Sequence, residues 1–431
     1  MKKYSICAAL ALLSFSSFGQ DVNKLIKQKN VEHIIQTLTS DDMQGRATFT
    51  PGIEKAAQFI ENEFKHIGLQ PLPGNPDFRQ NFTMLRTKPG TTQVTINNEA
   101  VPANRVIVQG SDAFNWTSAA DVEVASIAAG QNLQNLYRTY ARSNKKMLVL
   151  VDPSFEPLFS RLHDRIQQGS IRFDAAASQP IVFVLGNFDK VNTLSVNYQT
   201  KTDRPVLFNI AGMIPGKTKP DEYVIFAGHY DHLGILKPMQ GDSIANGADD
   251  DASGTTAMIT LAKYYKKLNN NARTLIFVAF TAEEIGEFGS QYFAKQINPD
   301  KAVAMFNIEM IGKPSKFGEN SAFITGYERS DFGEILQRNL KGTQFKFYPD
   351  PYPAQDLFYR SDNASLARVG VPAHTISTDQ IDVDQYYHTV KDELSTLDVA
   401  NITSTIRAIA LSSRSIVDGT DTPKRVAKLE R

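Results

Sequence analysis

The chain has 431 residues, 42% of them hydrophobic and 21% charged, with 46 basic residues against 46 acidic ones. That balance argues against disorder and fibrous repeats and allows two or three domains. A formal net charge of zero supplies no basic field for a phosphate backbone, so no nucleic-acid partner is expected.

Lys2 and Lys3 precede an apolar run over residues 6–15, and Ser16, Ser17 and Gly19 follow it. This reads as a secretory signal peptide over residues 1–20. No later stretch reaches about 18 uninterrupted apolar residues. A secreted or periplasmic protein is therefore expected, with no membrane association after signal cleavage. The single cysteine, Cys7, lies in this leader, so neither a disulfide nor thiolate chemistry is expected of the mature chain.

Residues 31–38 and 56–67 carry apolar side chains at helical spacing, the second stretch ending at Gly68. Across residues 93–205 the texture changes to short β-type runs at 94–96, 106–108, 147–151 and 181–185, with helix-like segments at 133–142 and 159–168. This predicts an inserted, smaller β-rich domain, leaving residues 21–92 and 206–431 for the main one. From 206 onward apolar strands alternate with amphipathic helices: strands are predicted at 223–227, 274–280, 302–308 and 371–376, and a helix after Ser253. Near-continuous apolar strands separated by helices predict an α/β fold, a mostly parallel central sheet with helices on both faces.

In such a sheet ligands bind beyond the carboxyl ends of the strands. The polar residues at those ends are His229, Tyr230, Asp231 and His232 after the first run, Glu283 and Glu284 after the second, and Glu309 after the third. Asp249, Asp250 and Asp251 precede the helix, and His388 comes late in the chain. Taken singly, the aspartates could be helix caps, Glu283 and Glu284 a solvated first turn, and His388 a structural histidine. Together, converging carboxylates repel unless protonated or neutralised, and a divalent cation with imidazole ligands is the simplest neutralising partner. Mixed imidazole and carboxylate donors without thiolate suit zinc, with manganese or cobalt as alternatives. Neither a twelve-residue calcium loop, nor a phosphate-binding loop at Gly212 to Thr218, nor a nucleophile elbow at Ser253 is complete.

Six segments in this order and spacing resemble the co-catalytic two-zinc aminopeptidase family, whose clan includes glutamate carboxypeptidase and the transferrin receptor ectodomain. They are GHYDHLG at 228–234, NGADDDASG at 246–254, TAEEIGEFGS at 281–290, NIEMIG at 307–312, SDNASLARVGVP at 361–372 and YHTVKDE at 387–393. GRATFTPGIEKAAQFIENEF at 45–64 resembles the family's lead-in, and the insert stands where many members carry a protease-associated domain.

The resemblance implies two zinc ions per chain. His229 and Glu309 would hold one, Glu284 and His388 the other, with Asp250 bridging. Glu283 would be the unligated general base, Asp231 would orient His229, and Asp392 would support the His388 loop. It also implies a cis peptide between Asp250 and Asp251. Three positions depart from the pattern: Glu309 stands where the family usually has aspartate, and Asn363 and Leu366 where histidine and phenylalanine are common. His232 and His374 are expected to be structural, as are His33, His66 and His163 outside the motifs. The implied activity is a metallo-exopeptidase acting on peptide substrates, most simply an aminopeptidase. The alternatives are a carboxypeptidase or dipeptidase of the same family, or a receptor-like binding protein that has lost turnover.

Overall fold

The computed structural model describes residues 22–110, 112–174 and 179–429; the leader and Cys7 lie outside them. Contacts divide the chain into two compact units, one made of the residues up to Phe82 with Leu207–Arg431, the other of Thr83–Val206. The second unit begins before the expected residue 93 because the short run at 94–96 is the end of one long strand, Arg79–Ile96, whose exposed Lys88 and half-buried Pro89 and Gly90 hide its β character in sequence.

Within the first unit the strands lie in the order Lys346–Pro349, Ser321–Ile324, Ala373–Ser377, Ala302–Ile308, Lys219–His229, Arg273–Phe280 and Val206–Ile214. The central pairings of Lys219–His229 with both neighbours and of Ala302–Ile308 with Ala373–Ser377 are parallel. Val206–Ile214 and Ser321–Ile324 pair antiparallel with their inner neighbours. These outer strands were not expected, being short or less uniformly apolar than the central four.

Register explains why the central strands are apolar throughout. Phe226 is level with Phe277 on one side and Phe306 on the other, and the rings stack at 5.5 and 4.8 Å between centroids. Alternate residues Ile225, Ile276 and Met305 point to the opposite face and join a separate apolar cluster. Both faces are therefore dry. The Phe226 face is covered by Gln28–Leu38, Pro51–Ile67, Gly254–Leu268 and Val399–Ser412 through Ile34, Ile60, Leu261 and Ile406. The other is covered by Phe293 and Leu366 from Phe288–Gln296 and Asn363–Ala367. The helix Pro51–Ile67 starts with proline at its first turn and stops at Gly68, whose φ of 79° lets its N–H reach back to Phe64 O at 3.0 Å.

The Thr83–Val206 unit contains a four-stranded sheet ordered Val106–Gln109, Ile181–Leu185, Met147–Val151, Glu123–Ile127. Leu133 and Phe159, from the helices Leu133–Ala141 and Glu156–Gln167, join a cluster with Val149 and Phe183. Among the described residues no helix is long and apolar enough to cross a membrane.

Candidate metal centre

The carboxyl ends of three parallel strands deliver the groups that the sequence singled out. His229 ends Lys219–His229, Glu283 and Glu284 follow Arg273–Phe280, and Glu309 follows Ala302–Ile308. Asp250 lies between them in the segment that enters the helix Gly254–Leu268. Its Oδ1 is 3.0 Å from His229 Nε2, and its Oδ2 is 3.2 Å from His388 Nε2. Glu284 Oε2 is also 3.2 Å from His388 Nε2. Donor atoms of His229, Asp250 and Glu309 lie within 4.8 Å of one another, as do those of His232, Asp250 and Glu284.

The Asp250 segment is held by its backbone. The Asp250–Asp251 peptide is cis. Asp392 accepts from the N–H groups of Asp249 at 2.9 Å and Asp250 at 3.0 Å. The carboxylate of Asp392 thus ties the loop that carries His388 to the Asp250 segment. Asp251 points away from the centre and ties its margins together: it accepts from the N–H groups of His229, Gly254 and Met310 at 3.0–3.1 Å. Gly254 has no room for a side chain, since a Cβ there would run into the Ile308 carbonyl and the Asp251 carboxylate.

Arg46, fully buried, extends that scaffold. Its guanidinium donates to the carbonyls of Leu38, Tyr230, Asn246 and Gly247 at 2.6–2.9 Å, so one cation joins the His229 and Asp250 loops from below. Burial lowers its pKa, against the nearby charges of Asp392, Asp231, Asp250 and Asp251. The residue sits in the lead-in segment noted in the sequence, but nothing in the spacing showed that it reaches loops nearly 200 positions away.

His229 Nδ1 lies 3.1 Å from the main-chain carbonyl of Asp231 and 3.9 Å from its carboxylate. The orienting group is therefore the carbonyl, and the carboxylate instead accepts the Glu283 N–H at 3.2 Å. His232, expected to be structural, faces the centre: its Nδ1 is 2.6 Å from Glu284 Oε1 and 3.8 Å from Asp250 Oδ2. Its place three residues after His229 in the same loop was the available signal. His374 keeps the structural role expected of it, its Nδ1 2.8 Å from Thr325 O and its Nε2 2.7 Å from Ser330 Oγ. Asn363 is likewise a tie, donating to the Phe358 and Ala373 carbonyls at 2.9 and 3.2 Å.

Glu309 is bound by Ser361 Oγ and by Asn307 Nδ2 on the same oxygen, the latter at 3.2 Å. These donors reach the longer side chain, one oxygen of which lies within 4.8 Å of donor atoms of His229 and Asp250. Burial pushes Glu309 up to about 7, with the Asp250 charge adding to it and His229 and Ser361 opposing. Burial pushes Glu283 well above the carboxylate range too, with Glu309, Asp362 and Glu284 as repelling neighbours and His229 opposing. Burial would also raise Asp250, but the close imidazoles of His229, His388 and His232 outweigh it and hold Asp250 low. For His388 burial works against the charged form, yet Asp250 and Glu284 push it up to about 10.

A cation fits this arrangement. His229 Nε2 is fully enclosed without a hydrogen bond although Asp250 Oδ1 is near, and His232 Nε2 is unpartnered as well. A buried donor set rich in carboxylates, with imidazole nitrogens left over, is what a divalent ion would satisfy.

The fold is that of the α/β exopeptidases. An aminopeptidase from Aneurinibacillus sp. strain AM-1 superimposes with a TM-score of 0.55 at 17% identity, over 96% of this chain and 97% of that one, a likeness of fold. Residues 209–412 match the model of peptidase family M28. That segment is a peptidase M28 domain, within the clan of co-catalytic zinc metallopeptidases. Leucine aminopeptidase 1 of Paracoccidioides brasiliensis (strain Pb03) is 29% identical over 226 residues, 48% of this chain and 56% of that protein. A probable zinc metalloprotease of Pyrenophora teres f. teres (strain 0-1) is 33% identical over 105 residues, 24% of this chain and 22% of that protein. The match thus spans about half the length of the leucine aminopeptidase.

Proposed function

We propose that this chain is an exported, zinc-dependent aminopeptidase that releases residues from the amino ends of peptides. The observation that carries the reading is Asp250, whose two carboxylate oxygens face imidazoles on opposite sides, His229 and His388. Two ions per chain follow from that arrangement in our reading: one held by His229, Asp250 and Glu309, the other by Asp250, Glu284 and His388. The M28 match and the names of the curated relatives support zinc and peptide substrates. Export rests on the leader sequence, and the Thr83–Val206 unit is proposed as a protease-associated-like accessory domain from its place in the chain.

When bound, zinc would lower the pKa of a water and polarise the scissile carbonyl. The chain's own residues do the rest. Glu283, whose burial and acidic neighbours raise its affinity for protons, takes the proton from the attacking water and returns it to the departing amine. The Asp231 carboxylate fixes the Glu283 backbone from below. His232 holds one oxygen of Glu284 so that the other faces His388.

The test is mass spectrometry of a defined peptide mixture incubated with the purified protein, alongside chelated and zinc-restored samples. Zinc-dependent ladders from the amino end are expected. Ladders from the carboxyl end would move the chain to a carboxypeptidase, and intact peptides with metal bound would leave a binding protein.

A further inference from the structure

His388 reaches the centre from a loop, where its Nε2 stands 3.2 Å from both Asp250 and Glu284. A ligand on a loop is only as well placed as the anchors of that loop. The downstream anchor is Asp392, four residues on, whose carboxylate accepts from the Asp249 and Asp250 N–H groups. Upstream, four residues before His388, Asp384 accepts the Tyr386 N–H on Oδ1 at 2.8 Å. Its other oxygen, Oδ2, meets the ammonium of Lys313 at 2.6 Å.

Lys313 directly follows the NIEMIG segment, and its backbone is pinned. Asn401, on the helix Val399–Ser412, donates to the carbonyls of Ile311 and Lys313 at 3.0 and 2.9 Å, while the Gly312 N–H donates to Asp249 Oδ1 at 2.7 Å. From there Lys313 Nζ reaches Asp249 Oδ2 at 3.3 Å as well as Asp384. One ammonium thus joins the His388 loop to the residue that precedes the bridging Asp250. The side chains of Asp249 and Asp384 are 0% and 3% exposed and that of Lys313 19%, so solvent screens these charges little. Burial works against the charge on Lys313, yet Asp249, Asp384 and Asp392 push its pKa above the ordinary lysine value. Oxygens of Asp249, Asp379 and Asp384 lie within 4.8 Å of one another. Asp379, pushed up to about 8 by burial and by those two neighbours, shares a hydrogen bond with Asp384. Without the ammonium, Asp249 and Asp384 would face each other as like charges, and the clamp would become a repulsion.

Resting on the reading of two zinc ions per chain, we propose that Lys313 is a positioning residue for the His388 side of the centre. Its ammonium closes the upstream anchor as Asp392 closes the downstream one, and so holds His388 against Asp250 and Glu284.

The test is the zinc affinity of the purified protein, titrated against a chromogenic chelator. Lys313→Met is expected to weaken one of two sites by about 10- to 100-fold and to leave the other within about threefold. In a His388→Ala background, where that site is gone, it should change nothing further. Lys313→Arg, which keeps the charge, should recover most of the loss. Asp384→Asn should act with opposite signs in two backgrounds. With Lys313 present it weakens the same site by about fivefold, the cost of exchanging a charged acceptor for a neutral one. In Lys313→Met it restores affinity by about threefold or more, because it relieves the repulsion. A lysine that only fills space predicts neither the rescue nor the reversal. Two ions in the wild type, with no change at either site in Lys313→Met or equal losses at both, overturn this inference alone. So does an Asp384→Asn substitution that weakens binding in both backgrounds. One ion per wild-type chain overturns the two-ion reading along with it. If circular dichroism shows Lys313→Met unfolded, Asp384→Asn in the otherwise unchanged chain decides, and an unaltered affinity there overturns the inference.

Discussion

The two sides of Asp250 are built differently. On one side His229 ends a central strand, is 1% exposed at its side chain, and has both its backbone and its ring fixed, by Asp251 and by the Asp231 carbonyl. On the other, His388 sits in a loop at a φ of 58°, is 39% exposed, and is stacked on Tyr387 at 3.8 Å. The first side is a product of the sheet, the second of a loop laid over it. Preorganised ligands lose less freedom on binding, so on the two-ion proposal the His229 side should hold its ion more tightly than the more exposed His388 side.

The sharpest way to break this comparison is to leave both sides intact and remove the group between water and carbonyl. Glu283→Gln is expected to lower kcat by about a hundred- to ten-thousandfold, the range for a lost general base. Bound zinc, measured by atomic absorption, should be unchanged. Activity that persists would place the base elsewhere.

Next in size are the two histidines. His388→Ala should release one ion per chain and leave the melting temperature of the metal-free protein nearly unmoved, since its ring is partly solvated. His229→Ala should remove an ion and also destabilise the metal-free protein by about 2–4 kcal/mol, because it opens a cavity among buried carboxylates. Equal effects of the two on metal-free stability, measured by urea unfolding, would dissolve the distinction drawn here.

Ser361→Ala tests the Glu309 side more gently. It removes a donor to the glutamate, and a loss of about 10- to 100-fold in zinc affinity is expected at one of two sites by competition with a chromogenic chelator. A change at neither site would mean that Glu309 needs no such anchor.

The smallest effect concerns the strand under that side. His374 is neutral when folded, burial lowering its pKa to about 4 from 6.5 despite the hydrogen bond to Thr325, with Arg329 adding to the depression. Below pH 6.5 the unfolded chain binds a proton that the folded chain refuses, so stability is full above that pH and is lost as pH falls toward 4. The His374 contribution to the loss between pH 7 and pH 5 should be about 2 kcal/mol, read as the difference in urea-unfolding stability between the wild type and His374→Gln across that range. His374→Gln should flatten that slope.

Much of the architecture was legible before any coordinates. The strand Ala302–Ile308 was expected at the residues it occupies, because a strand buried on both faces must be apolar at every position. The outer strands and the start of the second unit were not, because exposed or short strands carry polar residues that share their texture with loops. The candidate site was legible as a set of chemical types at strand ends, and the structure brings all of His229, Asp250, Glu283, Glu284, Glu309 and His388 to one place.

What the sequence by itself determined was the inventory and its order: which strands are buried, where each one ends, and which acids and imidazoles stand at those ends. Local pattern sets these, since period and turn chemistry act over a few residues. Only the tertiary structure decided the partnerships: that Arg46 binds four carbonyls, that the Asp231 carbonyl faces His229 while its carboxylate holds Glu283, that Asp392 grips Asp249 and Asp250, and that His232 meets Glu284. These are choices among donors and acceptors many residues apart. Distance and angle settle such choices within a fraction of an ångström, and spacing along a chain carries no record of either.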